Sequence, residues 1–406
     1  MQRVMFYCQH VMGIGHLMRS SLIVGGLARE FQEMLVTGGP PVRGFQFPAG
    51  VEVMQLPPLE MDEKFSNLHP SDSTLTLAET KALRTNALLR AFDTFQPDAL
   101  ITELFPFGRR QFRFELLPLL EQARGRRSGT MIVSSVRDVL LVDVKNEAKI
   151  CKTVNNNYDL VLVHGDERLQ RFEETFSRAG ELTCPVVYTG FVAPEEREKE
   201  SGAPAGDTRS GPAIVASVGG GKFPEGYRVL EAVIRAAQVL QDRIPHEFRV
   251  FAGPLVPPEV YQRLEGLARG LHNVTLSRYT PSLAAQMRRA ELSISMGGYN
   301  TIMDILSTGV RALVLPLTSE KEREQAMRVA ALRKLGVLEA LRPETLAPEP
   351  LAAAIVGALQ MTPNQISLNL RGAENTARLL KQFLGKRVDS GYVAASGEVG
   401  ELEQAS

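Results

Sequence analysis

Short apolar runs alternate with longer amphipathic stretches along most of this chain. In the first half, runs typical of buried strands are Arg3–Cys8, Glu33–Thr37, Val51–Leu56, Asp98–Thr102, Thr130–Ser134, Asp159–Val163 and Pro185–Tyr188. Stretches with helical periodicity lie between them, at about His16–Phe31, Thr76–Phe95, Arg110–Ala123, Val144–Asn155 and Arg168–Arg178. This alternation predicts a parallel sheet with helices on both faces. The acidic, proline-containing interval Pro57–Ser73 is expected to be a mobile surface loop.

The pattern stops over residues 193–212, which are rich in Glu, Lys, Gly, Pro and Ser, and then starts again. Predicted strands follow at Ala213–Ser217, Glu247–Ala252, Val274–Leu276, Leu292–Ser295 and Ala312–Leu315. Predicted helices are Glu225–Leu240, Pro257–Ala268, Ser282–Arg289, Thr301–Ser307, Glu322–Leu335, Pro350–Met361 and Gln365–Leu384. We therefore predict two Rossmann-like, doubly wound α/β domains that face a cleft.

The predicted divisions of the chain follow from these patterns. They are a first domain (residues 1–192), a flexible linker (193–212), a second domain (213–362), a closing helix (363–385) and a disordered tail (386–406).

Composition narrows the class of protein. The 406 residues contain 46 Lys+Arg and 46 Asp+Glu, so the electrostatic signature of a nucleic-acid partner is missing. The three cysteines are too few for a disulfide framework, which favours a reducing compartment. The N-terminus passes directly into a strand, so we expect no signal peptide and a cytoplasmic location.

The stretch Ser293–Asp304 is the clearest candidate site. A short apolar strand ends at Gly297 and Gly298, and a helix then begins on the small polar residues Asn300 and Thr301. Free N–H groups and the helix dipole favour an anion at such a helix start. Asp304 lies near the same opening, where its carboxylate would accept hydrogen bonds from a sugar hydroxyl.

A glycine loop, Gly13–Gly15, follows the first predicted strand and leads into His16. The glycines allow a tight turn and a close approach of Gly15 to a ligand. A helix N-terminus disfavours the imidazolium, so His16 would be neutral and able to act as a general base. The alternative is a structural turn capped by a histidine. The pattern is not a complete G-x-G-x-x-G, so a dinucleotide site is not indicated.

A second glycine loop follows Ser217 at the start of the second domain. Gly219, Gly220 and Gly221 expose consecutive N–H groups that can surround a diphosphate, with Lys222 adding charge. The alternative is a permissive turn between strand and helix. The spacing is not that of a P-loop, which argues against ATP hydrolysis.

Two further segments of the second domain end on the predicted cleft. Tyr279 and Thr280 follow a strand and are candidates for contacts with a nucleobase. Glu324 and Gln325 lie in a charged run at a helix start, where they would either bind sugar hydroxyls or form a solvated capping face.

In the first domain, Glu103, Arg137 and Asp138 follow predicted strands. They are candidates for acceptor binding or acid–base assistance, with a structural ion pair as the alternative. The segment Phe105–Phe114 mixes aromatic residues with arginines, which indicates a loop and core helix or an interfacial patch for anionic lipid. The six scattered histidines give no metal constellation, and no nucleophile elbow is present.

Together these motifs resemble the family 28 type of GT-B glycosyltransferases, most strongly over Ser217–Leu341 and the first 30 residues. The resemblance implies that the second domain holds a UDP-sugar. It implies diphosphate contacts from Ser217, Gly219–Gly221, Gly297, Gly298 and Thr301, a ribose contact from Asp304 in place of the family's usual Glu, and sugar contacts from Glu324 and Gln325. It also implies catalysis by His16 and a last helix that crosses back to the first domain.

The motif Gly-x-Gly-His-x-x-Arg-Ser also resembles UDP-sugar hydrolases of nonulosonic-acid synthesis, in which the histidine activates water. The prediction is thus a metal-independent glycosyltransferase without a cofactor, which uses a nucleotide-sugar donor and a small-molecule or lipid-linked acceptor. A hydrolase and a non-catalytic nucleotide-sugar-binding protein are the alternatives. Peripheral contact with the inner face of a membrane stays open.

Overall fold

The computed structural model describes residues 1–11, 14–42, 45–61, 67–126, 129–140, 142–194, 211–220, 224–280, 282–317, 323–364 and 366–389. These residues form two parallel sheets, each covered by helices on both faces. The predicted fold class is therefore confirmed. Most of the predicted linker (195–210) and of the predicted tail (390–406) lies outside the described residues.

The first sheet has seven parallel strands in the order β3-β2-β1-β6-β7-β8-β9. Its strands are β1 (Arg3–Tyr7), β2 (Gln32–Thr37), β3 (Val51–Gln55), β6 (Ala99–Glu103), β7 (Met131–Arg137), β8 (Leu160–His164) and β9 (Val186–Tyr188). The covering helices are α1 (Gly15–Leu27), α2 (Leu77–Phe95), α3 (Arg113–Gly125) and α4 (Val144–Asn157). β1, between β2 and β6, pairs Tyr7 with Thr102, so β1 and β6 end side by side.

The second sheet repeats this arrangement in the order β12-β11-β10-β13-β14-β15. Its strands are β10 (Ala213–Ser217), β11 (Glu247–Phe251), β12 (Val274–Ser277), β13 (Leu292–Met296), β14 (Arg311–Leu315) and β15 (Glu339–Ala340). Its helices are α5 (Pro224–Leu240), α6 (Pro258–Ala268), α7 (Leu283–Arg288), α8 (Tyr299–Thr308), α9 (Arg323–Lys334) and α10 (Pro348–Leu359).

Three predicted segments differ from the structure: two lie in the first domain, and the third is the closing helix. Within Pro57–Ser73, an antiparallel hairpin pairs β4 (Leu59–Met61) with β5 (Leu68–Pro70), because Leu59 is buried in the first domain's core. The helix predicted at Arg168–Arg178 is instead replaced by short 3₁₀ turns (Phe172–Glu174 and Ala179–Glu181), since Phe172 and Phe176 both pack edge-on against Phe107.

The closing helix α11 (Gly372–Asp389) begins later than predicted and continues into the part predicted to be disordered. It begins late because residues 366–370 are non-helical, with Asn369 accepting a hydrogen bond from Phe191 N–H at 2.7 Å. The helix packs on α1, where Leu380 and Leu384 share one apolar cluster with Val24. The C-terminal segment thus crosses back to the first domain. No helix in the described residues is long and apolar enough to cross a bilayer.

Candidate active site

The two sheets present the carboxyl ends of their central strands to each other, and the start of α8 meets the start of α1 there. Asn300 Nδ2 donates a hydrogen bond to the Gly15 carbonyl at 3.4 Å, across the two domains. The first glycine loop and the Gly297–Gly298 segment therefore border one cleft, although the bonded residues Gly15 and Asn300 are 285 positions apart in the sequence. Met12 and Gly13 lie outside the described residues.

His16 and Glu103 form a hydrogen-bonded pair at the first-domain side of this cleft. His16 Nδ1 lies 2.7 Å from Glu103 Oε1. The His16 side chain is 17% exposed, whereas the Glu103 carboxylate is fully buried at the end of β6. Because an ionised carboxylate only accepts hydrogen bonds, the neutral imidazole donates from Nδ1 and keeps a lone pair on Nε2. No described residue hydrogen-bonds Nε2.

The electrostatics of the pair favour a neutral histidine beside an ionised glutamate. Burial, and after it the nearby Arg109 cation, lower the pKa of His16 to about 3 against the opposing effect of Glu103. Burial alone would raise the pKa of Glu103, but His16, Arg19 and Arg109 together hold it below its usual value. A neutral His16 was predicted from the helix dipole; in the structure the causes are burial and Arg109. His16 is thus deprotonated and oriented as a general base requires.

A third side chain, that of Arg19, also contacts Glu103 and connects the His16–Glu103 pair to the second domain. Arg19, one turn after His16 on α1, donates to Glu103 Oε1, and its guanidinium lies 5.4 Å from the centre of the Tyr299 ring. The Tyr299 hydroxyl accepts from Val192 N–H at 3.0 Å and lies 3.3 Å from the His164 carbonyl. Tyr299, at the first position of α8, therefore holds the donor side of the cleft against Arg19. The sequence analysis assigned no role to Arg19 or Tyr299, although the spacing of His16 and Arg19 places both on one helix face.

The predicted acceptor residues have other partners in this conformation. Asp138 is buried, and both its carboxylate oxygens accept from Arg328 of α9, at 2.7 and 2.8 Å. The structural ion pair named as the alternative is thus observed, but with Arg328. An acceptor role for Asp138 stays a prediction, and in this conformation its carboxylate is held by Arg328. Glu103 is buried and contacts His16, as acid–base assistance requires, and its predicted contact with an acceptor stays a prediction.

Arg137 and Glu324 form a second ion pair between the domains. Arg137 Nη1 lies 2.7 Å from Glu324 Oε1, and both side chains are only slightly exposed. Gln325 is buried, and its Oε1 accepts a weak hydrogen bond from Leu317 N–H at 3.3 Å. Glu324 and Gln325 are therefore at the cleft but are engaged by protein groups, so a sugar would have to replace those contacts.

The start of α8 has the features expected of an anion site. Gly298 is its N-cap and supplies no side-chain cap, so the structure shows no side chain among the described residues that caps the first N–H groups of the helix. A Cβ at Gly297 would lie 2.8 Å from Val329 Cγ2, so only glycine allows α9 to approach this closely. Thr301 is buried in the first turn, and Asp304 lies half-buried in the second.

The remaining donor-side predictions lie at the ends of β10 and β12. Ser217 is buried, and its hydroxyl accepts weakly from Gly219 N–H at 3.4 Å. Gly219 has a φ of +70°, which favours glycine, and Gly220 is bound through its carbonyl by Leu255 N–H. Tyr279 is 60% exposed, and Thr280 Oγ1 lies 3.4 Å from Ser282 N. Gly221 lies outside the described residues.

Comparison with known proteins finds a family model that matches most of the second domain and part of the closing helix. Residues 218–383 match the model of the glycosyltransferase family 28 C-terminal domain. The UDP-N-acetylglucosamine--N-acetylmuramyl-(pentapeptide) pyrophosphoryl-undecaprenol N-acetylglucosamine transferase of Mesorhizobium japonicum is 33% identical over 105 residues, which are 26% of this chain and 28% of that protein. The protein of the same name from Methylorubrum extorquens is 25% identical over 160 residues, 38% of this chain and 42% of that protein. The chain therefore matches less than half the length of these curated relatives.

Solved structures extend the likeness in fold to nearly the whole chain. CalG4, the calicheamicin glycosyltransferase, superposes with a TM-score of 0.57 at 18% identity and covers 97% of this chain and 99% of that one. MurG of Acinetobacter baumannii superposes with a TM-score of 0.55 at 15% identity, covering 95% and 100%. At these identities the comparison establishes the fold, which is the two-domain GT-B arrangement.

Proposed function

We propose that this chain, whose second domain belongs to glycosyltransferase family 28, transfers a sugar from a nucleotide diphosphate donor, a UDP-sugar, to an acceptor hydroxyl. The observation that carries the proposal is the His16–Glu103 pair, which lies beside an α8 N-terminus that no side chain caps. A general base on one domain faces an anion site on the other, with Asn300 and Gly15 in contact between them.

In the proposed reaction, His16 Nε2 accepts the proton of the acceptor hydroxyl as its oxygen attacks the anomeric carbon. The bond from that carbon to the diphosphate oxygen breaks, and the nucleoside diphosphate leaves. The Glu103 carboxylate stabilises the imidazolium that forms, in the role that the third member of a catalytic triad plays. The α8 N–H groups and the Ser217–Gly220 loop stabilise the charge that builds on the diphosphate.

Asp304 is proposed to bind the ribose, and Glu324 and Gln325 the transferred sugar. For the latter two, binding requires the present contacts with Arg137 and Leu317 N–H to be exchanged for sugar hydroxyls. Tyr279 and Thr280, which lie after β12, are proposed to contact the base. Because fixed helix N–H groups supply the diphosphate contacts, we also propose that transfer requires no metal and no cofactor.

Donor binding is tested with purified protein and a panel of nucleotide-sugars. A ligand at 100 times its dissociation constant stabilises the folded state by about 2.7 kcal/mol, which a thermal shift detects. His16→Ala should abolish turnover and leave the shift with UDP intact. If no UDP compound shifts the unfolding midpoint, the donor assignment is refuted.

The second candidate is a UDP-sugar hydrolase, favoured by the 17% exposure of the His16 side chain, which allows a water molecule to reach the imidazole. Incubation with each UDP-sugar alone distinguishes the two reactions. Free sugar released at catalytic rates supports the hydrolase, whereas turnover only after addition of an extracted acceptor supports the transferase. A donor that binds and is never consumed, with or without acceptor, indicates a binding protein.

We further propose a lipid-linked acceptor and a peripheral contact with the inner face of a membrane, because the names of the matched relatives specify an undecaprenol-linked substrate. A shallow groove between the Phe105–Phe114 segment and α4 is lined by Arg110, Arg113 and Lys149. Val144, at the start of α4, is 74% exposed. Cosedimentation with anionic vesicles should fall in an Arg110→Gln, Arg113→Gln double variant. Equal binding by both proteins, or none by either, would contradict this surface.

A further inference from the structure

The cleft brings together seven charged side chains whose pairing leaves one arginine over. Among the described residues these are the cations Arg19, Arg109, Arg137 and Arg328 and the anions Glu103, Asp138 and Glu324. With His16 neutral, the group therefore has one surplus positive charge.

Three of the four arginines donate hydrogen bonds to an acid. Arg19 bonds Glu103, Arg137 bonds Glu324, and Arg328 bonds both oxygens of Asp138. Arg109 forms no such bond: its Nε lies 3.7 Å from Glu103 Oε2, which is beyond hydrogen-bond distance. The surplus charge is thus that of Arg109.

Arg109 is also buried with unused donors. Its side chain is only 4% exposed, and both Nε and Nη2 are buried without a hydrogen-bond partner. Glu103 Oε2 also has no hydrogen-bond partner, so a small rotation would pair it with one Arg109 donor, whereas Arg109 has two unpaired donors, Nε and Nη2. A buried cation with an unpaired donor is unfavourable because the donor has lost its water and gained no acceptor, so such a group calls for a ligand.

The position of Arg109 places that ligand beside the reacting groups. His16 bonds one oxygen of the Glu103 carboxylate, and Arg109 approaches the other. Arg109 has a φ of +57°, and its carbonyl accepts from Phe112 N–H at the start of the 3₁₀ turn Arg110–Phe112, which fixes the backbone there. The residue belongs to the first domain, whereas the α8 anion site belongs to the second.

We propose that Arg109 binds an oxyanion of the acceptor, a carboxylate or a phosphate, close to the hydroxyl that is glycosylated. The inference rests on the proposed transfer reaction and narrows its acceptor to an anionic compound. A planar guanidinium with free N–H groups binds either oxyanion through paired hydrogen bonds. The donor's diphosphate is assigned to the other domain, so the two anions occupy separate sites.

The test titrates orthophosphate and, separately, acetate into full-length protein already saturated with UDP, with binding followed by thermal shift and by ³¹P line width for orthophosphate. Arg109→Gln should weaken the binding of the preferred anion by at least about tenfold, because charge-assisted hydrogen bonds are lost. Arg109→Lys should retain part of the affinity. Arg235→Gln, an exposed arginine on α5, is the matched control and should bind as wild type does.

Tighter binding of orthophosphate identifies the acceptor group as a phosphate, and tighter binding of acetate identifies it as a carboxylate. The proposal is overturned if wild type binds neither anion, if Arg109→Gln binds as wild type does, or if excess UDP displaces the anion. Unfolding midpoints and UDP affinity are recorded for every variant. A folded protein that fails to bind UDP refutes the donor assignment, whereas one that binds UDP but no second anion refutes only the role of Arg109.

Discussion

Protonation of His16 is the perturbation whose effect the structure predicts most directly. With a pKa of about 3, about 0.3% of His16 is protonated at pH 5.5, compared with about 90% for an imidazole of ordinary pKa. A base that must be neutral would then keep its full activity down to pH 5.5. An enzyme whose base had the ordinary pKa of histidine would lose about tenfold in kcat/KM as the pH falls to 5.5.

The lowered pKa of His16 also determines how the stability of the folded protein changes with pH. Because the folded pKa lies below the unfolded one, the unfolded chain binds more protons between pH 6.5 and pH 3. The stability contributed by neutral His16 is therefore complete above pH 6.5 and is lost as the pH falls toward 3. The lowered pKa corresponds to a contribution of neutral His16 to the free energy of unfolding of at most about 5 kcal/mol. Wild type should thus lose more stability than His16→Gln over this range.

The substitution Glu103→Gln tests the role of the carboxylate that pairs with His16. It keeps the shape of the side chain but removes the negative charge that His16 contacts among the described residues, while Arg19 and Arg109 stay in place. The imidazolium that forms on proton transfer then has no counter-charge, and the preferred tautomer is no longer fixed. We expect kcat to fall by about 10²–10⁴-fold with UDP affinity unchanged.

The assay follows UDP release with extracted acceptor at pH 5.0–8.5, together with far-UV circular dichroism to establish that each protein stays folded. His16→Ala defines the background rate. An acidic limb centred near pH 6.5 in wild type, which disappears in His16→Ala, would refute the low pKa. A Glu103→Gln protein with wild-type kcat would refute the pairing as the source of catalysis.

Three other outcomes are expected. Asp138→Asn leaves Arg328 buried without its counter-charge and should lower the free energy of unfolding, measured by chemical denaturation, by about 3–5 kcal/mol. The control Lys381→Gln removes the exposed pair with Glu30 and should lower it by about 0–1 kcal/mol. Equal losses in the two variants would contradict the buried interdomain pair. Tyr299→Phe should lower the free energy of unfolding by about 1–3 kcal/mol because Val192 N–H loses its acceptor, and no change would contradict that contact. Treatment with EDTA should leave the transfer rate unchanged, and loss of activity that Mg²⁺ restores would refute metal independence.

The fold could be predicted because its signal is local. Buried parallel strands such as β6 (Ala-Leu-Ile-Thr-Glu) and β13 (Leu-Ser-Ile-Ser-Met) are short runs rich in apolar residues, and all five residues of each are buried in the structure. The β4–β5 hairpin could not be predicted in this way, since its three-residue strands pair across a polar interval. The late start of α11 was also hidden, because residues 366–370 carry helix-compatible residues but are held in a non-helical conformation by contacts with residues far earlier in the chain, such as Phe191.

The candidate site was predictable where a motif precedes a helix and not where two distant segments meet. His16 and Gly297 could be selected from glycines that follow apolar runs. The partners Asp138 and Arg328 are 190 positions apart, and no local pattern connects them. Arg109 stood in a recognised run of arginines and aromatic residues, but its unpaired donors become visible only when every neighbour has been placed.

The return of α11 to the first domain has a consequence for synthesis of the chain. A Cβ at Gly26 of α1 would lie 2.9 Å from the Ala373 carbonyl oxygen, so the first and last helices pack in close contact. Leu380 and Leu384 complete an apolar cluster built otherwise from residues of β1, α1 and neighbouring strands. During translation that face of the sheet is covered only in part, by α1, until α11 has left the ribosome. The first domain therefore needs α11, which is made much later, to complete its apolar core. Expression of residues 1–192 alone would give an aggregation-prone fragment.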